Sequence, residues 1–330
     1  MALLPITLAA ENYDRTRGLI DGSIRAEGIE LNFLPLAVEE TFWRMTRYLE
    51  FDASEMSGTA YLVERSRPSP RFIAIPVFLS RTFRHSAIYI RSDRGIQTPQ
   101  DLVGKRVGIP EYGLTALTWV RAFLQHDYDV RPSQIKWQVG GLEQPGREER
   151  AHFEPPAGVS IEPIPADETL SAMLGAGTLD AIMAPRMPAP FAEGSPLVRR
   201  LFPDYRTVEE EYFRRTGLFP IMHFVVIRED VYRANRWIAE SLYKAFCEAK
   251  EQALRYLLEP NVLVCSLPWL VPEVEREMAI FGRDLWPYGL TENRKALEAM
   301  VAYHGEQGII PKSMPVEELF AESTLVEFKI

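Results

Sequence analysis

The chain has 330 residues, is 46% hydrophobic and carries 37 basic against 46 acidic side chains, a net charge of −9. That length and apolar content suit one large or two medium cores, and the negative field opposes nucleic acid and anionic membranes as partners. The two cysteines, Cys247 and Cys265, make neither a metal spacing nor a disulfide framework and read as buried thiols.

The N-terminus lacks a basic leader, and its apolar run is interrupted by Pro5 and ends at Glu11, too short for a signal sequence. No later run reaches the roughly 18 apolar residues of a membrane span, so a soluble, cytoplasmic protein is expected. Ile6 to Ala10 predicts a first strand, with Asn12, Tyr13 and Arg15 where the strand end opens. Gly28 to Leu36 alternates like a strand, and Glu39 to Tyr48 has helical spacing, with Arg44 and Arg47 on its solvated side. From Phe51 to Leu62, the hydroxyls of Ser54, Ser57 and Thr59 precede an apolar helical segment, where they cap a helix or hold a ligand.

Next comes a basic connection. Ala74 to Leu79 and Ser86 to Ile90 predict strands, which leaves Arg81, Arg84 and His85 between them, at strand ends where open α/β sheets form ligand crevices. Asp101 to Ile109 predicts a capped turn and a strand, followed by the turn PEYG and a helix marked by Leu114, Leu117, Val120 and Leu124. The amides of that turn and the Thr115 hydroxyl are expected to face an anion. Gly140 to Pro165 turns to Gly, Pro and charge and reads as an excursion, with His152 exposed in it. A helix over ETLSAMLGAG and a strand DAIMA then deliver Arg186, whose planar fork matches a carboxylate.

A second histidine begins a similar string. Met222 to Asp230 runs MHFVVIRED, much as His85 to Asp93 runs HSAIYIRSD. If both are crossing strands, residues 93–223 form an inserted lobe and 1–92 with 224–330 the other, with the site in the cleft between them. Arg233 to Leu258 predicts a long amphipathic helix. Phe281 to Gly289 places Asp284, Trp286 and Tyr288 in a Pro/Gly loop, and Asn293 to Glu306 predicts the final helix. His126 and His304 fall in last helical turns, where a cation is favoured, and read as structural.

GxGxxG, HExxH and GxSxG are absent. Alternating strands and helices with an insertion between crossing strands are similar to the α/β, two-lobed architecture of type 2 periplasmic binding proteins, with mixed sheets flanked by helices. The strings NYDRTRGLIDG, FDASEMSGTAYL, AIPVFLSRTFRHSAIYI, DLVGKRVGIPEYGLTALTWVRAFLQ, GGLEQPGRE, LDAIMAPRMPAPF and DLWPYG together resemble the 4,5-dihydroxyphthalate decarboxylase family. The resemblance spans Tyr13 to Gly289. It implies a cytoplasmic enzyme that converts 4,5-dihydroxyphthalate to protocatechuate and CO2.

Losing CO2 directly from a benzoate leaves an aryl anion, whereas a para hydroxyl lets the ring accept a proton first. A histidine suits that proton donor, since its pKa lies near working pH; His85 is the first choice and His223 the second, with Glu111 as acceptor for a catechol hydroxyl. Arg81, Arg84 and Arg186 are the expected carboxylate clamps, and Ser57, Thr115, Trp286 and Tyr288 the other substrate-binding side chains. No cofactor is expected. The chemical alternative is a divalent metal ion on His85, His223, Glu111 and Asp284, although no sequence-local ligand pair supports one. The partner is a small aromatic dicarboxylate, with self-association of the chain left open, and the competing class is a non-catalytic solute-binding protein.

Overall fold

Strands form where β-branched and aromatic residues recur, and helices where apolar residues recur every three to four positions. The computed structural model describes residues 2–147, 149, 155–311 and 313–325; His152 lies outside them. The chain opens with β1 (Leu4–Ala10), α1 (Arg17–Ile20), β2 (Ile29–Pro35), α2 (Val38–Tyr48), β3 (Ala53–Ser57), α3 (Gly58–Arg65) and β4 (Phe72–Arg81). It continues through β5 (Ile88–Arg91), β6 (Arg106–Ile109), α4 (Thr115–Tyr128), β7 (Lys136–Val139), β8 (Ser160–Pro163), α5 (Leu170–Ala176) and β9 (Ala181–Met183). Then follow α6 (Ala189–Ala192), β10 (Val198–Arg200), α7 (Tyr205–Thr216), β11 (Ile221–Arg228), α8 (Glu229–Ala234) and α9 (Trp237–Leu257). The last two are α10 (Leu270–Phe281) and α11 (Leu290–Glu306).

Two compact units result. The first comprises Met1–Arg81, Ile221–Glu298 and Met314–Ile330, and the second Thr82–Pro220 and Ala299–Ser313. The first is built on a five-stranded mixed sheet in the order β2-β1-β3-β11-β4, and the second on a six-stranded sheet in the order β10-β5-β9-β6-β7-β8. In the first, β1 runs parallel to β2 and β3, while β11 runs antiparallel to both β3 and β4. Its core holds Tyr61, Phe78, Phe224 and Phe320, whose rings lie 5.3–6.2 Å apart, edge-on or tilted. The second unit packs Leu170, Leu174, Leu179 and Ile182 with Tyr89 and Val198.

The expected lobe boundaries move. Residues 82–92 belong to the second unit, because β5 pairs with β9 and β10 there, and 299–313 belong to it as well. The chain passes from one unit to the other at 81/82 and returns at 220/221, so β4 leads out of the first unit and β11, which carries the second histidine string, leads back, whereas the first string lies in and around β5, inside the second unit. Those strings share something local instead: Arg91 pairs with Asp93 at 2.7 Å and Arg228 with Asp230 at 2.5 Å.

Other expectations shift too. The helix expected over Arg233 to Leu258 is broken between α8 and α9. The polar excursion ends in β8, which adds an edge strand parallel to β7. Cys247 is half-buried and Cys265 exposed, so the expected pair of buried thiols does not hold. Among the described residues no helix is long and apolar enough to cross a membrane.

Candidate functional site

The carboxyl ends of parallel strands are where α/β sheets gather functional side chains, since chain reversals there leave polar groups unpaired. In the first unit these ends belong to β1, β3 and β4, joined by the start of the antiparallel β11. After β1 the chain tightens into a 3-10 turn, Asp14–Thr16. Buried Thr16 holds that turn: its hydroxyl accepts from the Tyr13 amide and donates to the Tyr13 carbonyl, both at 2.9 Å. Tyr13 and Arg15 are thereby fixed.

Across the sheet, β11 lays His223 opposite Ser57 and Val225 opposite Glu55. Residues directly opposite share a face, so Glu55 is the diagonal neighbour of His223 and within its reach. The Glu55 carboxylate accepts from His223 Nδ1 at 2.6 Å, from the Tyr13 hydroxyl at 2.7 Å and from the Glu11 amide at 3.0 Å. Glu55 is fully buried, while the His223 side chain remains 18% exposed. Burial alone raises the Glu55 carboxyl pKa, but the His223 hydrogen bond and charge, with those from Glu11 and Tyr13, outweigh it and hold the group below the usual range. Burial and the adjacent Glu55 push the Tyr13 phenol well up. Phe42 meets the His223 ring edge-on, with centroids 4.9 Å apart.

A register irregularity between β11 and β4 falls on either side of His223. Pro76, inside β4, has no amide to give the ladder, and its carbonyl accepts from the Gly289 amide at 2.9 Å. Irregularities of this kind re-aim a side chain at a strand edge. On the same unit, Arg15 is sandwiched between Tyr13 and Trp286, 4.2 Å from each ring centroid. It donates to the Leu79 carbonyl, and the Trp286 indole donates to the Phe78 carbonyl at 2.7 Å.

The remaining expected residues of this unit are less open. Arg81 is not in the connection but ends β4, buried, where it donates to Asn293 at 2.7 Å and to the Pro287 carbonyl at 3.3 Å. Burial pushes its pKa down to about 9. Tyr288 is buried as well, with the Lys250 ammonium 5.3 Å from its ring, and is a core aromatic rather than a group in contact with solvent. Ser57 stands at the N-cap position of α3. Asp284 pairs with Lys250.

In the second unit, His85 is 1% exposed and enclosed by rings. It stacks on Phe123 at 4.0 Å and meets Tyr212 and Phe202 edge-on at 5.2 and 5.5 Å; the nearest carboxylate oxygen, on Glu209, is 3.8 Å from Nδ1. Arg84, beside it, is half-buried, and its Nε has no hydrogen-bond partner among the described residues. Burial pushes its pKa down to about 10, against the pull of Glu209.

Glu111 is buried and paired with Arg147 at 2.7 Å. Thr115, also buried, opens α4. The turn before α4 does receive an anion, but one from the chain itself: the Glu149 carboxylate accepts from the Tyr112 amide at 2.5 Å and the Gly113 amide at 3.1 Å. Arg186 lies exposed in the loop after β9. Among the described residues no group of three His, Cys, Asp or Glu side chains could hold a metal ion.

Thus Tyr13, Arg15, Glu55, His223 and Trp286 form one connected set. Sequence reasoning noted the positions of Tyr13 and Arg15, and passed over Glu55. The available signal was an acidic residue within a strand-length segment, Ala53–Ser57, that is otherwise small or apolar.

No family model matches the chain. The fold matches that of the periplasmic aliphatic sulphonate binding protein SsuA from Escherichia coli with a TM-score of 0.55, at 11% identity, over 98% of this chain and 99% of that one. The class is therefore that of periplasmic-binding-protein-like α/β folds, a likeness of architecture alone. A 4,5-dihydroxyphthalate decarboxylase from Comamonas testosteroni is 38% identical over 330 residues, all of both chains. Another, from Pseudomonas putida, is 42% identical over 214 residues, 65% of this chain and 83% of that one. The chain belongs to the 4,5-dihydroxyphthalate decarboxylase family.

Proposed function

We propose that the chain is a carboxy-lyase that converts 4,5-dihydroxyphthalate to protocatechuate and CO2, with His223 as the proton donor. Membership of the family supports the activity. The observation that carries the acid assignment is the hydrogen bond from His223 Nδ1 to the buried Glu55, on a side chain that stays partly open to solvent. With Nδ1 engaged, Nε2 is the nitrogen left to face a substrate. His85, although first choice by sequence, has its ring packed among Phe123, Phe202 and Tyr212 and suits a packing role better.

The chemistry follows from charge. Electrons from the hydroxyl para to the departing carboxylate flow into the ring, and the carbon bearing that carboxylate takes the proton from His223 Nε2. The carbon–carboxylate bond then breaks, its electron pair returns to the ring, and CO2 leaves as aromaticity is restored. Each turnover consumes one proton, which solvent returns to the imidazole. Arg15, held between Tyr13 and Trp286 in the same unit as His223, is the guanidinium assigned to a substrate carboxylate. Glu111, already bound by Arg147, is given no proton in this reading.

The test is CO2 release from purified protein given 4,5-dihydroxyphthalate. Binding without turnover would leave a capture protein. His223→Gln should lower kcat by about 10²–10⁴ while KM changes little, the pattern of a group that acts in the transition state. Undiminished turnover would remove His223 from the mechanism.

A further inference from the structure

We propose that Glu55 is a positioning residue for the reaction: its buried carboxylate, locked by Tyr13 and the Glu11 amide, fixes the tautomer and ring orientation in which His223 presents Nε2. The inference rests on His223 being the acid and names what makes it one. Burying a carboxylate is costly unless donors surround it. Glu55 is surrounded from two sides, with His223 Nδ1 and the Tyr13 hydroxyl on one oxygen and the Glu11 amide on the other. These donors come from β11 and from the segment after β1, so the carboxylate ties two strand ends to one imidazole.

Each donor is itself held. Tyr13 is fixed through Thr16, and its ring lies against Arg15, which in turn lies against Trp286. The His223 ring is braced edge-on by Phe42. The other charged groups along this edge are Glu11, Asp14 and Arg15; Asp14 pairs with Arg15 at 3.0 Å, which leaves Glu55 as the carboxylate bound to the imidazole. An anion on Nδ1 makes that nitrogen a donor in both charge states of the ring. The proton that leaves and returns is then the one on Nε2.

Glu55→Gln keeps the size and one acceptor oxygen but removes the charge. With 4,5-dihydroxyphthalate it should lower kcat about 10- to 100-fold and keep KM within about threefold. Glu55→Asp, which keeps the charge, should restore part of the rate. A carboxylate that only supported the fold would lower the amount of folded protein without separating kcat from KM in the protein that folds. Glu55→Gln at the wild-type rate, while His223→Gln is inactive, overturns the role of Glu55 and leaves the acid assignment standing. If His223→Gln is also active, the acid assignment itself fails. Should Glu55→Gln not fold, as judged by circular dichroism, Tyr13→Phe removes one donor from the same oxygen. A lower kcat with unchanged affinity for phthalate, a non-reacting dicarboxylate, then supports the proposal, and a wild-type rate overturns it.

Discussion

His304 illustrates how a single buried residue sets a pH response. Its ring is fully enclosed and donates from Nδ1 to the Met300 carbonyl at 2.7 Å. Burial pushes its pKa down to about 4, so the imidazole is neutral in the fold and is not the helix-end cation its position in the last turn of α11 had predicted. Below its ordinary value of about 6.5 the unfolded chain takes a proton that the folded chain refuses. Stability is therefore complete above pH 6.5 and falls progressively toward pH 4, by on the order of 3 kcal/mol in total. Urea unfolding measured from pH 7 to pH 4 should show that slope, and His304→Gln should flatten it. An equal slope in the variant would assign the loss to other groups.

At the scale of the element, β11 does two jobs because a strand alternates its faces. His223 and Val225 share one face with Ser57 and Glu55, and Phe224 points the other way into the aromatic core with Tyr61, Phe78 and Phe320. Phe224→Ala should cost about 3–5 kcal/mol, through lost burial and the cavity left behind, as measured by chemical denaturation. Phe224→Leu should cost clearly less, because most of the volume is kept. A near-neutral Phe224→Ala would mean that the core can close around the gap. The neighbouring strand β4 contributes in a different way, since Pro76 interrupts the ladder beside the histidine.

For the molecule as a whole, the net charge of −9 makes an anionic substrate unwelcome over most of the surface, so binding depends on locally placed cations. Arg15, stacked between two rings on the unit that carries His223, is such a cation. The mechanism proposed for His223 draws on side chains alone. Dialysis against EDTA should therefore leave CO2 release within about twofold of the untreated protein, on the view that acid–base help of this kind needs no Lewis acid. Loss of activity, restored by a divalent ion, would return the metal alternative.

The order of strands and helices was largely legible because it is written in local periodicity. The strands at Ile6 and Ala74 and the helices at Glu39 and Leu114 were anticipated close to where they occur. Strands β7 and β10 and helices α7 and α10 were not anticipated, and the two short strands carry little pattern of their own. The family resemblance, held in strings such as SRTFRHS and GGLEQPGRE, was also complete in the sequence. Tertiary structure alone decided which histidine is available. His85 and His223 both stand at or near the start of a hydrophobic strand, and they differ only once Phe123 covers one ring and Glu55, 168 residues away along the chain, binds the other. Burial and diagonal pairing across a sheet depend on contacts between distant segments, and no local pattern of residues encodes them.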